Sequence, residues 1–201
     1  MTKKILRIDA SSRKEGSYSR LLTNQLIAQL QANFPEAEVI RRDLTDGVPF
    51  VSDEMVKGML TVGASKSESV KKALKTSDEL IEEIKMIDIL VIGVPIYNFG
   101  IPAALKAYID LICRANVTFR YKNKISEGLL EDTKTYLIMV SAGTEVGSSK
   151  DYATGYLKHV LSFIGIRDVE VIKADQILFE GEQRVKAAQN YIANIRPVAT
   201  F

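Results

Sequence analysis

Cysteine and histidine are nearly absent from this sequence, where Cys113 and His159 stand alone among 201 residues. One cysteine excludes an intramolecular disulfide and any multi-cysteine metal site. One histidine leaves little from which to build a His-based zinc site or a Ser/His/Asp triad, so no metal is expected. Cys113 in "YIDLICRA" reads as a small core residue, and His159, beside Lys158, as a polar residue on a helix surface. Charge of one sign is also lacking: 27 Lys and Arg face 25 Asp and Glu, interspersed without a basic block, and this argues against a nucleic-acid partner. No uncharged apolar run approaches the roughly 18 residues of a membrane span. The apolar segment behind the basic start "MTKKILRIDASS" is too short for a signal sequence and runs into Asp9. A cytoplasmic protein without a membrane is the expectation.

What is present is apolar residues, 46% of the chain, enough for one substantial core, so residues 1–201 are expected to form a single domain. Strand-like and helix-like patterns alternate. "KKILRIDA" reads as a first strand, followed by the Ser/Gly-rich turn "SSRKEGSYS". Leu21, Leu22, Leu26, Ile27 and Leu30 then recur at helical spacing, with Ser17 or Ser19 available as the N-cap. "AEVIRRDL" is the second strand, and residues 53–77 are expected to hold a short helix and a mobile loop. "SDELIEEIKMID" reads as a helix with acids in its first turn, and "IDILVIGVP" as a strand buried on both faces. A helix is expected near residues 103–114, then an irregular aromatic segment "ANVTFRYKNKISEGLLED". The strand "TKTYLIMVSAGT", a helix over 149–164, the strand "DVEVIKAD" and a last helix to about Ile195 complete the chain. Five strands separated by helices imply an α/β fold: a doubly wound sheet of five parallel strands with helices on both faces.

In such a sheet, ligands sit beyond the carboxyl ends of the strands at the switch in strand order, which selects residues 10–19, 95–102 and 141–149. The first of these loops sets hydroxyls and backbone N–H groups at a helix start, a phosphate site if it is more than capping; Arg13 and Lys14 add charge. It is neither a Walker A sequence nor G-x-G-x-x-G. The second loop, "PIYNFG", offers the rings of Tyr97 and Phe99, the amide of Asn98, and Gly100 for close backbone approach. The third, "SAGTEVGSS", can run peptide groups along a heterocycle edge, since Gly143 and Gly147 remove obstruction. A phosphate at one end and a flat hydrogen-bonding ring at the other describe a mononucleotide such as FMN.

The stretches "ASSRKEGSYS", "SDELIEEIK", "PIYNFGIPAALKAYIDLICRANVTFRY", "EGL" at 127–129 and "SFIGI" at 162–166 carry a further likeness. Over almost its whole length the chain resembles the FMN-dependent NADH-azoreductases, quinone reductases of the flavodoxin-like superfamily. The resemblance implies a flavodoxin-like FMN-binding domain in which Ser11, Ser17, Tyr18 and Ser19 form the phosphate loop. It implies that Ile96, Tyr97, Asn98 and Phe99 run along the isoalloxazine, and that Ser141, Ala142, Gly143 and Thr144 meet its pyrimidine end. Tyr121 and Phe163 fall where the family places aromatics around the pocket over the flavin; as residues alone they read equally as core or interface aromatics. The family is homodimeric, each active site completed at the subunit interface. Two departures are Ser12, where many relatives have proline, and Tyr18, a position often filled by Gln or another small or polar residue.

The activity so implied is NADH:quinone oxidoreduction and azoreduction. FMN carries the hydride, NADH is the donor, quinone and azo substrates take turns at one site in ping-pong order, and no protein residue is catalytic. The alternative is a flavodoxin-like electron carrier or a flavin-binding sensor that does not turn over NADH.

Overall fold

The computed structural model describes residues 2–60 and 67–196. In chain order they form β1 (Lys4–Asp9), α1 (Tyr18–Asn33), β2 (Glu38–Asp43), α2 (Asp53–Leu60), α3 (Glu68–Lys85), β3 (Ile89–Pro95) and α4 (Ala103–Ile112). There follow β4 (Phe119–Lys122), β5 (Ile125–Gly128), β6 (Lys134–Val140), α5 (Tyr152–Ile164), β7 (Val169–Ala174), α6 (Ile177–Glu180) and α7 (Glu182–Ala193).

The five long strands pair in parallel in the order β2-β1-β3-β6-β7. Every residue of β3 is buried, as the uninterrupted run "ILVIGVP" requires of a strand covered on both faces. One face packs Ile5, Val91, Tyr136 and Ile138 against Leu22, Leu26 and Leu30 of α1 and Val185, Ala188 and Ile192 of α7. The other packs Leu6, Ile8, Leu90 and Ile92 against α3, α4 and α5. Gly93 lets α1 close on the sheet, because a Cβ there would fall 2.7 Å from Thr23 Oγ1. The strand order reverses between β1 and β3, so the loops after β1, β3 and β6 converge at one end.

Three expectations change. The segment expected to be irregular is an antiparallel hairpin of β4 and β5, reversed through Asn123 and Lys124, both with positive φ (52° and 65°). That is the geometry of a type I′ turn, whose twist matches the strands it joins. The helix expected from Ser77 starts at Glu68, capped by Ser67. Its Leu74 is buried, and Ser77, also buried, donates to Leu111 O at 2.6 Å, so the polar serine serves packing against α4. Of residues 53–77, expected to hold a short helix and a mobile loop, Asp53–Leu60 form α2 and 61–66 lie outside the described residues. The helix expected over 149–164 begins at Tyr152, where Asp151 caps it by accepting from Ala153 N and Thr154 N.

His159 is exposed, and burial pushes the Cys113 thiol up to about 12. Among the described residues no His/Cys/Asp/Glu group could hold a metal, and no helix is long and apolar enough to cross a membrane.

Candidate functional site

The first loop is built around hydroxyls. Ser17 caps α1 by accepting from Arg20 N, donates to Ser11 Oγ at 2.9 Å, and lies 3.1 Å from Ser19 Oγ. Ser11 and Ser19 are buried. These three hydroxyls and the free N–H groups of the first turn make a donor-rich cradle at the positive end of a 16-residue helix. Arg20 clamps the loop from below: its guanidinium donates to Arg13 O and Ser11 O and is held by both oxygens of Asp43 at 2.7 and 2.8 Å. The hydrogen bond from Arg20, outweighing burial, holds the Asp43 carboxyl well below the usual carboxylate range. Arg7 and Asp9, both buried, pair at 2.7 Å, and Asp9 stands 3.7 Å from Arg20, so the clamp continues down into β1.

The second loop turns tightly. Tyr97 and Gly100 exchange both backbone hydrogen bonds at 3.0 Å, and Asn98 (φ 48°) and Phe99 (φ 71°) occupy the left-handed region. Asparagine tolerates that conformation; phenylalanine is strained in it. Gly100 needs no positive φ, and a Cβ there would meet only Tyr97 O at 3.9 Å. The left-handed geometry of the turn therefore falls on its two predecessors. Phe99 O accepts from Tyr152 N, and the Tyr97 hydroxyl accepts from Ser12 N at 3.3 Å, which ties this loop to α5 and to the first loop.

The third loop is pinned at both ends. Ser141 donates to Thr144 O and accepts from Gln176 N, while Gly147 N donates to Asp151 at 2.8 Å. Burial alone would raise the Asp151 carboxyl, yet the donors of Thr154, Gly147 and Ala153 prevail and lower it. The Phe179 ring of α6 lies over Gly143, 3.3 Å from where a Cβ would stand.

Two adjoining cavities result. One, of about 490 Å³, is lined by Ser11, Ser17, Tyr18, Ser19, Ile96, Tyr97, Ser141 and Ala142, with Arg13, Pro95 and Leu178. The other, of about 530 Å³, is lined by Ile96, Asn98, Phe99, Ala142, Gly143 and Thr144, with Glu145, Lys150 and Gln176. They meet at Ile96 and Ala142. All twelve residues expected along the cofactor line one or both. Tyr121 and Phe163 line neither: they form an aromatic cluster with Phe119 on the hairpin and α5, with ring centroids 5.9 Å (Phe119–Tyr121) and 4.3 Å (Phe119–Phe163) apart. Arg20, Asp43, Gln176 and Leu178 were not anticipated. Nothing in the linear sequence links Arg20 to an acid 23 positions away, and α6 is a single turn with no periodicity to betray it.

The donor set fits a phosphorylated ring compound. Hydroxyls and N–H groups at a helix start suit a dianion, and a slot flanked by Ile96 and Ala142 and edged by exposed peptide groups suits a flat heterocycle.

A family model for the flavodoxin-like fold matches residues 3–197. The chain is 48% identical over 196 residues to the FMN-dependent NADH:quinone oxidoreductase 1 of Hahella chejuensis, with 98% of this chain and 96% of the relative covered. It is 45% identical over 193 residues to the FMN-dependent NADH:quinone oxidoreductase of Pelagibacter ubique, with 96% and 99% covered. The crystal structure of the azoreductase of Bacillus anthracis superposes with a TM-score of 0.87 at 26% identity, covering 96% of this chain and 97% of that one.

Proposed function

Because the chain belongs to the family of the flavodoxin-like fold, we propose that it is an FMN-dependent NADH:quinone oxidoreductase that also cleaves azo compounds. The observation that carries this is the convergence of the three loops, a serine cradle at one end and strained, exposed backbone at the other, on two adjoining cavities.

FMN held in these cavities would supply the redox chemistry, as hydride acceptor for NADH and two-electron donor for the quinone or azo compound. The chain's own residues bind and orient. Ser11, Ser17 and Ser19 exchange their mutual hydrogen bonds for bonds to the phosphate, and Arg13 lies at the cavity wall to offset its charge. Ile96 and Ala142 flank the ring, where the two cavities meet. Asn98, Gly143 and Thr144, which line the second cavity, would offer polar groups to its pyrimidine edge. The turn at Asn98 and Phe99 keeps its backbone in a conformation that the flanking hydrogen bonds enforce, so those groups need no reorganisation when the cofactor binds. One open face then serves donor and acceptor in turn, which gives ping-pong kinetics.

The working unit in this proposal is a cytoplasmic homodimer. Tyr121, 67% exposed, and Ile125, 72% exposed, project from the hairpin. A second subunit would cover these apolar groups and receive Tyr121 and Phe163 over its own flavin.

The test is a visible spectrum of the FMN-reconstituted protein followed by anaerobic NADH. Bleaching of the flavin band, restored by a quinone or an azo dye, is the expected result. Bound flavin that NADH leaves oxidised overturns the enzyme in favour of a carrier or sensor.

A further inference from the structure

We propose that Asp175 is a positioning residue for the ring end of the cofactor site, a role that rests on the FMN assignment above. Asp175 directly follows β7 and is 1% exposed. Its Oδ2 accepts from Val146 N at 2.7 Å. Its Oδ1 has no hydrogen-bond partner, and Arg184 Nη1 of α7 stands 3.9 Å away, beyond hydrogen-bond reach. Arg184 instead spends Nη2 on Glu180 Oε1 at 2.7 Å and Gln176 Oε1 at 3.3 Å, and its Nε is also unpartnered.

A buried carboxylate with one idle oxygen and a loosely matched cation costs stability, and an apolar residue would end a strand at lower cost. What the carboxylate does achieve is placement. Ser141 is held by the sheet, since Ser141 N donates to Ala174 O at 3.3 Å. Val146 is held by Asp175. Residues 142–145, which lie between these two anchors, line the second cavity, assigned above to the ring. Without the second anchor the segment keeps the bonds from Ser141 Oγ to Thr144 O, from Leu178 N to Ala142 O and from Ser148 N and Oγ to Glu145 O, with Gly147 N on Asp151 just beyond it, but nothing at Val146 itself ties it to β7. Asp175 therefore acts on the flavin through the backbone that it holds. Because this loop meets the ring and not the phosphate, its loosening affects FMN and riboflavin alike.

The experiment titrates FMN and riboflavin into the full chain as wild type, Asp175→Ala and Asp175→Asn, and records the bound-flavin spectrum and the melting temperature of each protein without flavin. Asp175→Ala is expected to bind both flavins about tenfold or more weakly, the consequence of losing a hydrogen bond to a charged group, with its visible band moved toward that of free flavin. Asp175→Asn keeps an oxygen that accepts from Val146 N–H and is expected to stay within a few-fold of wild type. Equal affinity and an unchanged band in Asp175→Ala overturn the role, as does a loss in Asp175→Asn as large as that in Asp175→Ala. If Asp175→Ala does not fold, hydrogen exchange at the Val146 amide of the wild type decides: slow exchange supports the anchor, and exchange at the rate of an open loop overturns it. A wild type that binds no FMN overturns the proposed function and this role with it. A wild type that binds FMN beside an equally tight Asp175→Ala overturns this role alone.

Discussion

At position 17 one hydroxyl caps α1 and also faces the first loop, and the two duties can be separated. Aspartate is as good an N-cap as serine, so Ser17→Asp keeps the helix start while placing a negative charge where the phosphate dianion binds. The variant is expected to melt within about 0.5 kcal/mol of wild type, as an exchange between equivalent caps should. It should lose FMN by roughly two orders of magnitude through charge repulsion in a partly desolvated cradle, and retain riboflavin. Paired thermal melts and flavin titrations check this, and equal losses for both flavins would count against the phosphate assignment. The same residue shows what the sequence discloses. Serines before a helical repeat reveal a cap, whereas the bond from Ser17 to Ser11 depends on a loop path that composition does not encode. Positions 98 and 99 show what it conceals, because nothing in the sequence marks Asn98 and Phe99 as the two left-handed residues of their turn.

Among the elements, β3 and β6 were legible because burial on both faces leaves them as nearly unbroken apolar runs, and α1 because Leu22, Leu26 and Leu30 keep one face. The hairpin was not. Its strands have four residues each and are mostly exposed, and its turn is Asn-Lys where Asn-Gly would have announced it. The two short stretches "EGL" and "SFIGI" turn out to be neighbours: a Cβ on Gly128 would fall 2.2 Å from Gly165 N, and one on Gly165 would fall 2.3 Å from Leu130 O. Gly165 also needs a φ of 118° to end α5. Gly165→Ala is therefore expected to cost about 2 kcal/mol or more, from backbone strain and overpacking together, and to displace the hairpin that carries Tyr121. Urea unfolding checks the first effect. The second should appear as a fall in kcat/KM for the acceptor with FMN affinity retained. The clamp under α1 has a pH signature. Asp43 titrates below its ordinary value, so its bond to Arg20 contributes fully above about pH 4 and is lost as the pH falls through the lowered folded-state value. Asp43→Asn should thus be less stable than wild type by roughly 1–3 kcal/mol at neutral pH, with the gap closing below about pH 4. A gap independent of pH would contradict the ion pair.

For the whole molecule, the proposal that two subunits share each site makes a quantitative demand. The cofactor cradle and the Tyr121–Phe119–Phe163 cluster occupy separate places on the chain, and neither of the two cavities is lined by a residue of that cluster. If the cluster completes the partner's site, Ser17→Asp disables the site of its own subunit, and Tyr121→Ala impairs the site across the interface. In a mixed dimer both lesions then fall on one site, and the other is intact. Random reassortment of equal amounts makes about half of the dimers mixed, each with one working site of two, so activity returns to about a quarter of wild type from two preparations that are each impaired. If Tyr121 serves its own subunit's flavin, every site of the mixture carries one lesion and mixing restores nothing. Quinone reduction measured before and after dissociation and reassociation distinguishes the two, with sedimentation of the wild type to establish the dimer beforehand. Restoration would also explain why the aromatic hairpin remains exposed on a single chain: its burial is supplied by the partner.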